Sequence, residues 1–194
     1  MKPIGPLMIE HRLISRMIKV LKMELSKIRS NKEVDPVFID IVVDFIRFYA
    51  DKTHHGKEED ILFRELKKKD LSKIHEKTMN DLIKEHIFAR KTTGNLVEAK
   101  EKYIKGDTEK LKEIIEMIET LVEFYPNHIE TEDKHFFIPV IDYFTEEEQN
   151  QMLEEGRIFD RKMIHRKYEH IVSEYEDMLD ITSKRESTNW IDRI

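Results

Sequence analysis

HHGKEEDILF, residues 54–63, closes an apolar helical stretch and places a glutamate four residues after each of two adjacent histidines: His54 with Glu58, and His55 with Glu59. Its counterpart is HIETEDKHFF, residues 128–137, where His128 and Glu132 repeat the spacing and Phe137, like Phe63, lies nine residues after the histidine. One His-x-x-x-Glu pair says little, because residues four apart are neighbours on any helix. Nine histidines and 26 glutamates among 194 residues give about one such pair by chance; the chain has several, among them 54/58, 55/59, 128/132 and 165/169. Their order is more informative. His11 lies 43 residues before His54, and His86 lies 42 before His128. Glu10-His11 resembles Glu85-His86, so the pattern His, then His-x-x-x-Glu, occurs twice with an offset of 75 or 74 residues. Duplication of a helical hairpin explains the repeat, and pairing two such hairpins brings all six groups together.

The apolar periodicity says where these groups point, since steps of three and four mark the buried stripe of a helix. The stripes run Leu7, His11, Ile14, Ile18, Leu21; then Val43, Ile46, Ala50, His54, Glu58, Ile61; then Met79, Leu82, His86, Ala89; and finally Leu121, Tyr125, His128, Glu132. Four helices each turn a histidine inward, and two add a glutamate. An unpaired carboxylate in a dry core costs several kcal/mol, so the six groups need a common partner. Four imidazoles and two carboxylates exceed the ligand set of one tetrahedral zinc and suit two metal ions, two histidines to each, with the glutamates bridging between them. Nitrogen and oxygen ligation fits iron or manganese, with open positions for a small exogenous ligand.

The rest of the composition agrees with an all-α chain. Five Gly and five Pro in 194 residues, with 39% apolar and 38% charged side chains, describe long helices around a core of ordinary size. Asp35-Pro36, Ser72, Gly106-Asp107-Thr108 and the Thr145/Glu148 capping box mark helix starts. Five helices are expected, over about 6–29, 36–68, 72–104, 108–138 and 146–180. The first four form an up-down-up-down bundle, and the fifth packs outside it or covers one end. Residues 1–180 are read as one domain and 181–194 as a polar tail with Trp190 as a docking point.

No membrane span or signal peptide is visible, so the chain reads as cytoplasmic. Zero cysteines exclude disulfides, thiolate catalysis and cysteine-held metals, and a net charge of -6 without a basic block argues against nucleic acid.

Four motifs together resemble the haemerythrin-like, or HHE cation-binding, family: IEHRLISRM around His11, HHGKEEDILF around His54, KEHIFARKT around His86 and HIETEDKHFFIP around His128. They span roughly residues 5–175. The resemblance implies a four-helix bundle with a non-haem di-iron centre that binds dioxygen or nitric oxide. Its histidine ligands fall on His11, His54, His86 and His128, and its bridging carboxylates on Glu58 and Glu132. The aromatic nine residues after the histidine, Phe63 and Phe137, favours His54 over His55 as ligand. There are departures. The dioxygen carriers have a fifth histidine where this chain has Arg90, and they commonly bridge with an aspartate at the position of Asp133. The six-ligand pattern looks more like the family's iron-centre repair and stress-linked members, without their cysteine-bearing N-terminal extension.

His55 stands about 100° from His54 on an α-helix and is read as an outward neighbour with a supporting or surface role. His75 and His135 are read as exposed, and His165 with Glu169 as solvated or packed. Tyr125 is read as packing, with hydrogen-bond donation to a bound oxygen species as its other role, and Pro126 as a kink before His128. The leading expectation is a di-iron protein that binds dioxygen or nitric oxide for sensing, scavenging or protection against oxidative or nitrosative stress. The alternatives are an enzyme that reduces peroxide or nitric oxide or repairs iron centres with a redox partner protein, and a helical signalling module that docks through its fifth helix and tail.

Overall fold

The computed structural model describes residues 2–178, and its elements there are helical throughout. Helix α1 is Ile4–Asn31. Helix α2, over 36–66, is composite: an α-helical start, Pro36–Asp44, passes into π-helical turns at Phe45–His55 and Glu58–Phe63 and ends with Arg64–Leu66. Helix α3 is Lys73–Ile104. Helix α4 covers 110–140 and contains a π-helical turn, Thr131–Phe136. A 3-10 turn, Ile141–Tyr143, leads to α5, Glu146–Met178. The tail over 181–194, with Trp190, lies outside the described residues.

Most helix starts follow from local chemistry. The Asp35 carboxylate accepts from the Val37 N–H at 2.9 Å, and the Ser72 hydroxyl accepts from the His75 N–H at 3.2 Å. Thr145 and Glu148 exchange bonds reciprocally, with the Thr145 N–H on Glu148 Oε2 at 2.9 Å and the Glu148 N–H on Thr145 Oγ1 at 3.3 Å. Thr108 departs from expectation and does not cap α4. The chain turns at Gly106, where φ is 102°, and α4 begins two residues beyond Thr108, behind a Glu109 whose side chain makes no capping bond.

The buried stripes form two apolar clusters, of 17 and 14 residues, with the histidines and glutamates between them. Helix α1 meets the smaller cluster first, through Ile4 and Leu7, then the larger through Ile14 to Ile28; α3 runs the same way, from Met79 and Leu82 to Leu96 and Ala99. Helices α2 and α4 run in the opposite order, from Ile39 and Ile114 towards Leu66 and Val140. Each fully buried Ile or Leu in these clusters contributes about 1.5–3 kcal/mol.

Helix α5 lies against the π-helical part of α2. Arg64 grips Glu155 with two bonds of 2.8 and 2.7 Å, and Lys57, itself buried, reaches Asp160 at 2.6 Å. Phe159 sits over Gly56, where a Cβ would stand 2.9 Å from the ring's Cζ.

Candidate metal centre

All six expected groups are buried and converge. The Nε2 atoms of His11 and His54 lie 2.8 Å apart. Glu58 places Oε1 3.2 Å from His54 Nε2 and Oε2 3.3 Å from His86 Nε2. Glu132 places Oε2 3.2 Å from His11 Nε2 and Oε1 3.3 Å from His128 Nε2. Each carboxylate therefore reaches from one half of the cluster to the other.

The surroundings repeat with two-fold regularity. His11 donates Nδ1–H to Asp133 at 2.8 Å, and His86 donates to Glu59 at 2.6 Å: the residue after each inward glutamate supports the lone histidine of the other hairpin. His54 donates to Glu10 at 2.8 Å, and His128 to Glu85 at 2.7 Å: the residue before each lone histidine supports the paired histidine of its own hairpin. Phe137 stacks on His11 at an interplanar angle of 3°, and Phe63 on His86 at 10°. A carboxylate on Nδ1 sets the tautomer and leaves the Nε2 lone pair for a metal. Asp133 thus holds an imidazole, while Glu132 is the carboxylate inside the cluster.

The electrostatics match a site built for cations. Burial and the Glu58 charge both act to raise the Glu132 pKa, yet His128, His11 and His86 hold it at about 2. Glu58 is likewise held well below the carboxylate range against its burial, chiefly by His54 and His86. Burial would lower His11 and His86, but the surrounding carboxylates, Asp133 and Glu132 around His11 and Glu132, Glu58 and Glu59 around His86, raise them to about 10 and about 11. His54 is also raised against its burial, by Glu58 and Glu10. Protons on these imidazoles balance the carboxylates, and a bound metal would have to displace them.

Hydrogen bonds do not complete the cluster. Among the described residues, both oxygens of Glu58, both oxygens of Glu132, and Nε2 of His86 and of His128 are buried without a hydrogen-bond partner. Buried polar atoms normally have one, and six orphans around one point are what a cation set would satisfy. Two nitrogens about 2.1 Å from one ion and at right angles stand about 3.0 Å apart, close to the separation of His11 and His54.

The ligand-type atoms fall into two groups, each within 4.8 Å: His11, His54, Glu58 and Glu132, and His55, His86 and His128. His55 is a correction to the outward reading. It is 1% exposed and stacks on His86 with ring centroids 3.8 Å apart. The π-helical backbone is the cause: hydrogen bonds that reach five residues back widen the turn and reduce the rotation per residue, so adjacent histidines both face inward. Burial and the neighbouring His86 hold its pKa well below the ordinary histidine value.

Other assignments shift less. His75 is half-buried rather than exposed, with Nδ1 2.9 Å from the Tyr143 hydroxyl, whereas His135 is exposed as expected. His165 belongs to neither metal-type group, and the Glu169 side chain lies outside the described ones. Helix α4 continues through Pro126. Arg90 bonds Asp51 and Glu59, each at 2.7 Å. Tyr125 is buried with its hydroxyl unpartnered, and it lines a cavity of about 100 Å³ with His55, Thr93 and Arg90. The sequence assigns no supporting role to Glu10, Glu59 or Glu85, although the paired Glu-His dipeptides carry the signal for two of them; Asp133, at the family's bridging position, instead holds His11.

A helical protein with a buried, two-fold set of histidines and carboxylates between apolar clusters belongs to the class of cation-binding helical proteins. A scan against family models matches the hemerythrin HHE cation binding domain over residues 2–141. The chain belongs to that family. Searches of curated proteins and of solved structures each return no match. No helix among the described residues is long and apolar enough to cross a membrane.

Proposed function

We propose that α1–α4 form an up-down-up-down bundle that holds two iron ions through His11, His54, Glu58, His86, His128 and Glu132, and that this centre binds dioxygen or nitric oxide for sensing, scavenging or stress protection. The alternating order in which the helices meet the two apolar clusters supports the bundle. One observation carries the metal reading: all four oxygens of Glu58 and Glu132 are buried without hydrogen-bond partners while facing imidazole nitrogens in both halves. When bound, the ions supply redox electrons and exchangeable coordination positions. The protein's part is to orient the imidazoles through their carboxylates and to keep bulk water out. Manganese shares these ligand preferences and is the alternative metal.

Protein expressed with iron and handled anaerobically should contain about two irons per chain. Its optical spectrum should change reversibly on adding dioxygen or nitric oxide. Metal content near zero refutes the reading.

The unpartnered Tyr125 hydroxyl beside its cavity favours a second reading, in which the centre reduces peroxide with electrons from a redox partner protein and Tyr125 serves as a hydrogen-bond or proton donor. Peroxide consumption in the presence of a reductant, weakened in Tyr125→Phe, separates this from plain binding. Reversible binding without consumption eliminates it.

A further inference from the structure

We propose that a small apolar cavity beneath α5 is a docking site for a neutral apolar diatomic, dioxygen or nitric oxide, beside the cluster. The cavity has a volume of about 70 Å³ and lies between the start of α1, the later part of α2 and the first half of α5. Leu7, Ile61, Leu62, Met152, Leu153 and Gly156 form most of its wall. The inference deepens the reading that the centre binds one of these gases, and it rests on that reading.

Three observations carry it. The first is size and lining. One water needs roughly 10–15 Å³ of such space and about two to four polar partners. The cavity has several times that space, and its apolar side chains offer no partner. Lys57, Arg157 and Asp160 also line it, but their charged ends are engaged: Lys57 bonds Glu10 and, at 2.6 Å, Asp160, and Arg157 bonds Glu154 at 3.1 Å. A cavity of this kind stays dry and takes apolar atoms or molecules that fit it. The second is the glycine. Gly156 lies inside α5, where alanine is the more favourable residue, and a Cβ there would meet nothing nearer than Lys57 Cδ at 3.9 Å, an ordinary contact. Close packing does not require glycine at this position; its missing side chain leaves the space open. The third is position. Leu7 stands one turn before His11 and Ile61 one turn after Glu58, all four buried. Lys57 precedes Glu58 and reaches Glu10, which bonds His54 at 2.8 Å. One helical turn separates the cavity from the cluster.

The lining selects among exogenous ligands. Peroxide and anions such as azide would give up water here without a replacement partner, the cost that any buried unpaired polar group carries. Dioxygen and nitric oxide give up little. The cavity of about 100 Å³ beside Tyr125 has the opposite character, with a buried hydroxyl, Thr93 and Arg90 on its wall. Helix α5 supplies Met152, Leu153 and Gly156, so the apolar cavity exists only because the fifth helix packs on α2.

The test titrates the full-length, metal-free protein, with labelled Ile, Leu and Met methyl groups, with xenon. The methyl resonances of Leu7, Ile61, Leu62 and Met152 should shift saturably in wild type and lose that response in Gly156→Leu, which fills the cavity. Denaturant midpoints establish that the variant is folded, and Gly156→Ala, whose Cβ has room, should give an intermediate response. Stopped flow on the iron-loaded proteins supplies the second readout. Nitric oxide and dioxygen, tested separately, should associate severalfold more slowly in Gly156→Leu, with azide association unchanged; slowing of one gas alone names it as the ligand. Absence of xenon shifts in wild type overturns the site without any variant. Xenon shifts with equal gas association in wild type and Gly156→Leu overturn the docking role. Xenon uptake by a wild type that binds neither gas when iron-loaded refutes the function reading, and the docking role with it, while the cavity's affinity for apolar atoms stands.

Discussion

Gly56→Ala tests whether α5 is pressed onto the turn that carries the paired histidines. In an ordinary helix interior, alanine is favoured over glycine by about 0.5–1 kcal/mol. Gly94, in α3 with nothing within 4 Å of a built Cβ, should show that gain when replaced by alanine. At Gly56 the new Cβ would stand 2.9 Å from Phe159 Cζ, closer than any real contact. Overpacking costs about 1–3 kcal/mol, and the half-buried Phe159 ring can give way in part, which places the cost near 1–2 kcal/mol. Gly56→Ala should therefore be neutral or lose up to about 1.5 kcal/mol, the overpacking cost less the helix gain.

The sign should reverse once the ring is removed. In a Phe159→Ala background Gly56→Ala should stabilise by about 0.5–1 kcal/mol, giving a coupling of about 1–2 kcal/mol between the two positions. Urea midpoints of wild type, the two single variants and the double variant measure it. An equal effect of Gly56→Ala in both backgrounds, within about 0.5 kcal/mol, would refute the contact and with it the placement of α5.

Tyr125→Phe removes a buried hydroxyl that has no partner, so metal-free protein should gain about 1 kcal/mol or stay unchanged in a denaturant melt, whereas a loss would mean the hydroxyl is satisfied. In metal-free protein the raised pKa values of His11 and His86, about 10 and about 11, give stability that is fully present below the unfolded histidine value near 6.5 and disappears as pH rises towards 10–11. Denaturant midpoints should therefore fall between pH 6.5 and 9.5 without metal and hold when metal is bound, because the bound form requires neutral imidazoles; equal pH profiles contradict this. Glu132 acts at the other end, with stability present above about pH 4.5 and lost as pH falls towards about 2. Glu58, also held low, acts in the same direction, and Glu132→Gln should flatten that acid limb. Stripping the metal with a chelator should lower stability by about 2.7 kcal/mol relative to a solution with free metal at a hundred times its Kd, and an unchanged melting temperature would show that the metal does not stabilise the fold.

The five helices and the six convergent groups were legible because they depend on local rules. A proline-started helix at Asp35-Pro36, a capping box at Thr145 and stripes in steps of three and four need no tertiary information. The start of α4 differs from the expected one because Gly106, rather than a side-chain cap at Thr108, makes the turn. His55 departs from its expected face for a deeper reason. Its orientation depends on π-helical turns over 45–55, and the 100° step of an α-helix gives the wrong face when the backbone widens. Sequence alone leaves His75 exposed because its partner, Tyr143, comes from a turn 68 residues away.

The π-helical turns also bear on why the two copies of the hairpin differ beside the cluster, with a buried His55 after His54 and Ile129 after His128. Two-fold copying accounts for His11 with His86, His54 with His128, Glu58 with Glu132, and the phenylalanine stacked on each lone histidine. Left alone, it would give each half the same two imidazoles. Both copies contain a π-helical turn, but in α4 it begins at Thr131, after His128, whereas in α2 the widened backbone already includes His54 and His55. At this level of α2 two consecutive residues, His54 and His55, are both buried, and the second of them is a histidine. Wider turns are poorly stabilised by their own hydrogen bonds, and α2 is the helix that α5 covers, with Phe159 on Gly56 and Asp160 on Lys57. Lys57 also pairs with Glu10, which supports His54, so one chain of contacts joins α5 to a residue of the centre. The fifth helix then has a structural purpose that the duplication does not require: it braces the widened turn that carries His54 and His55.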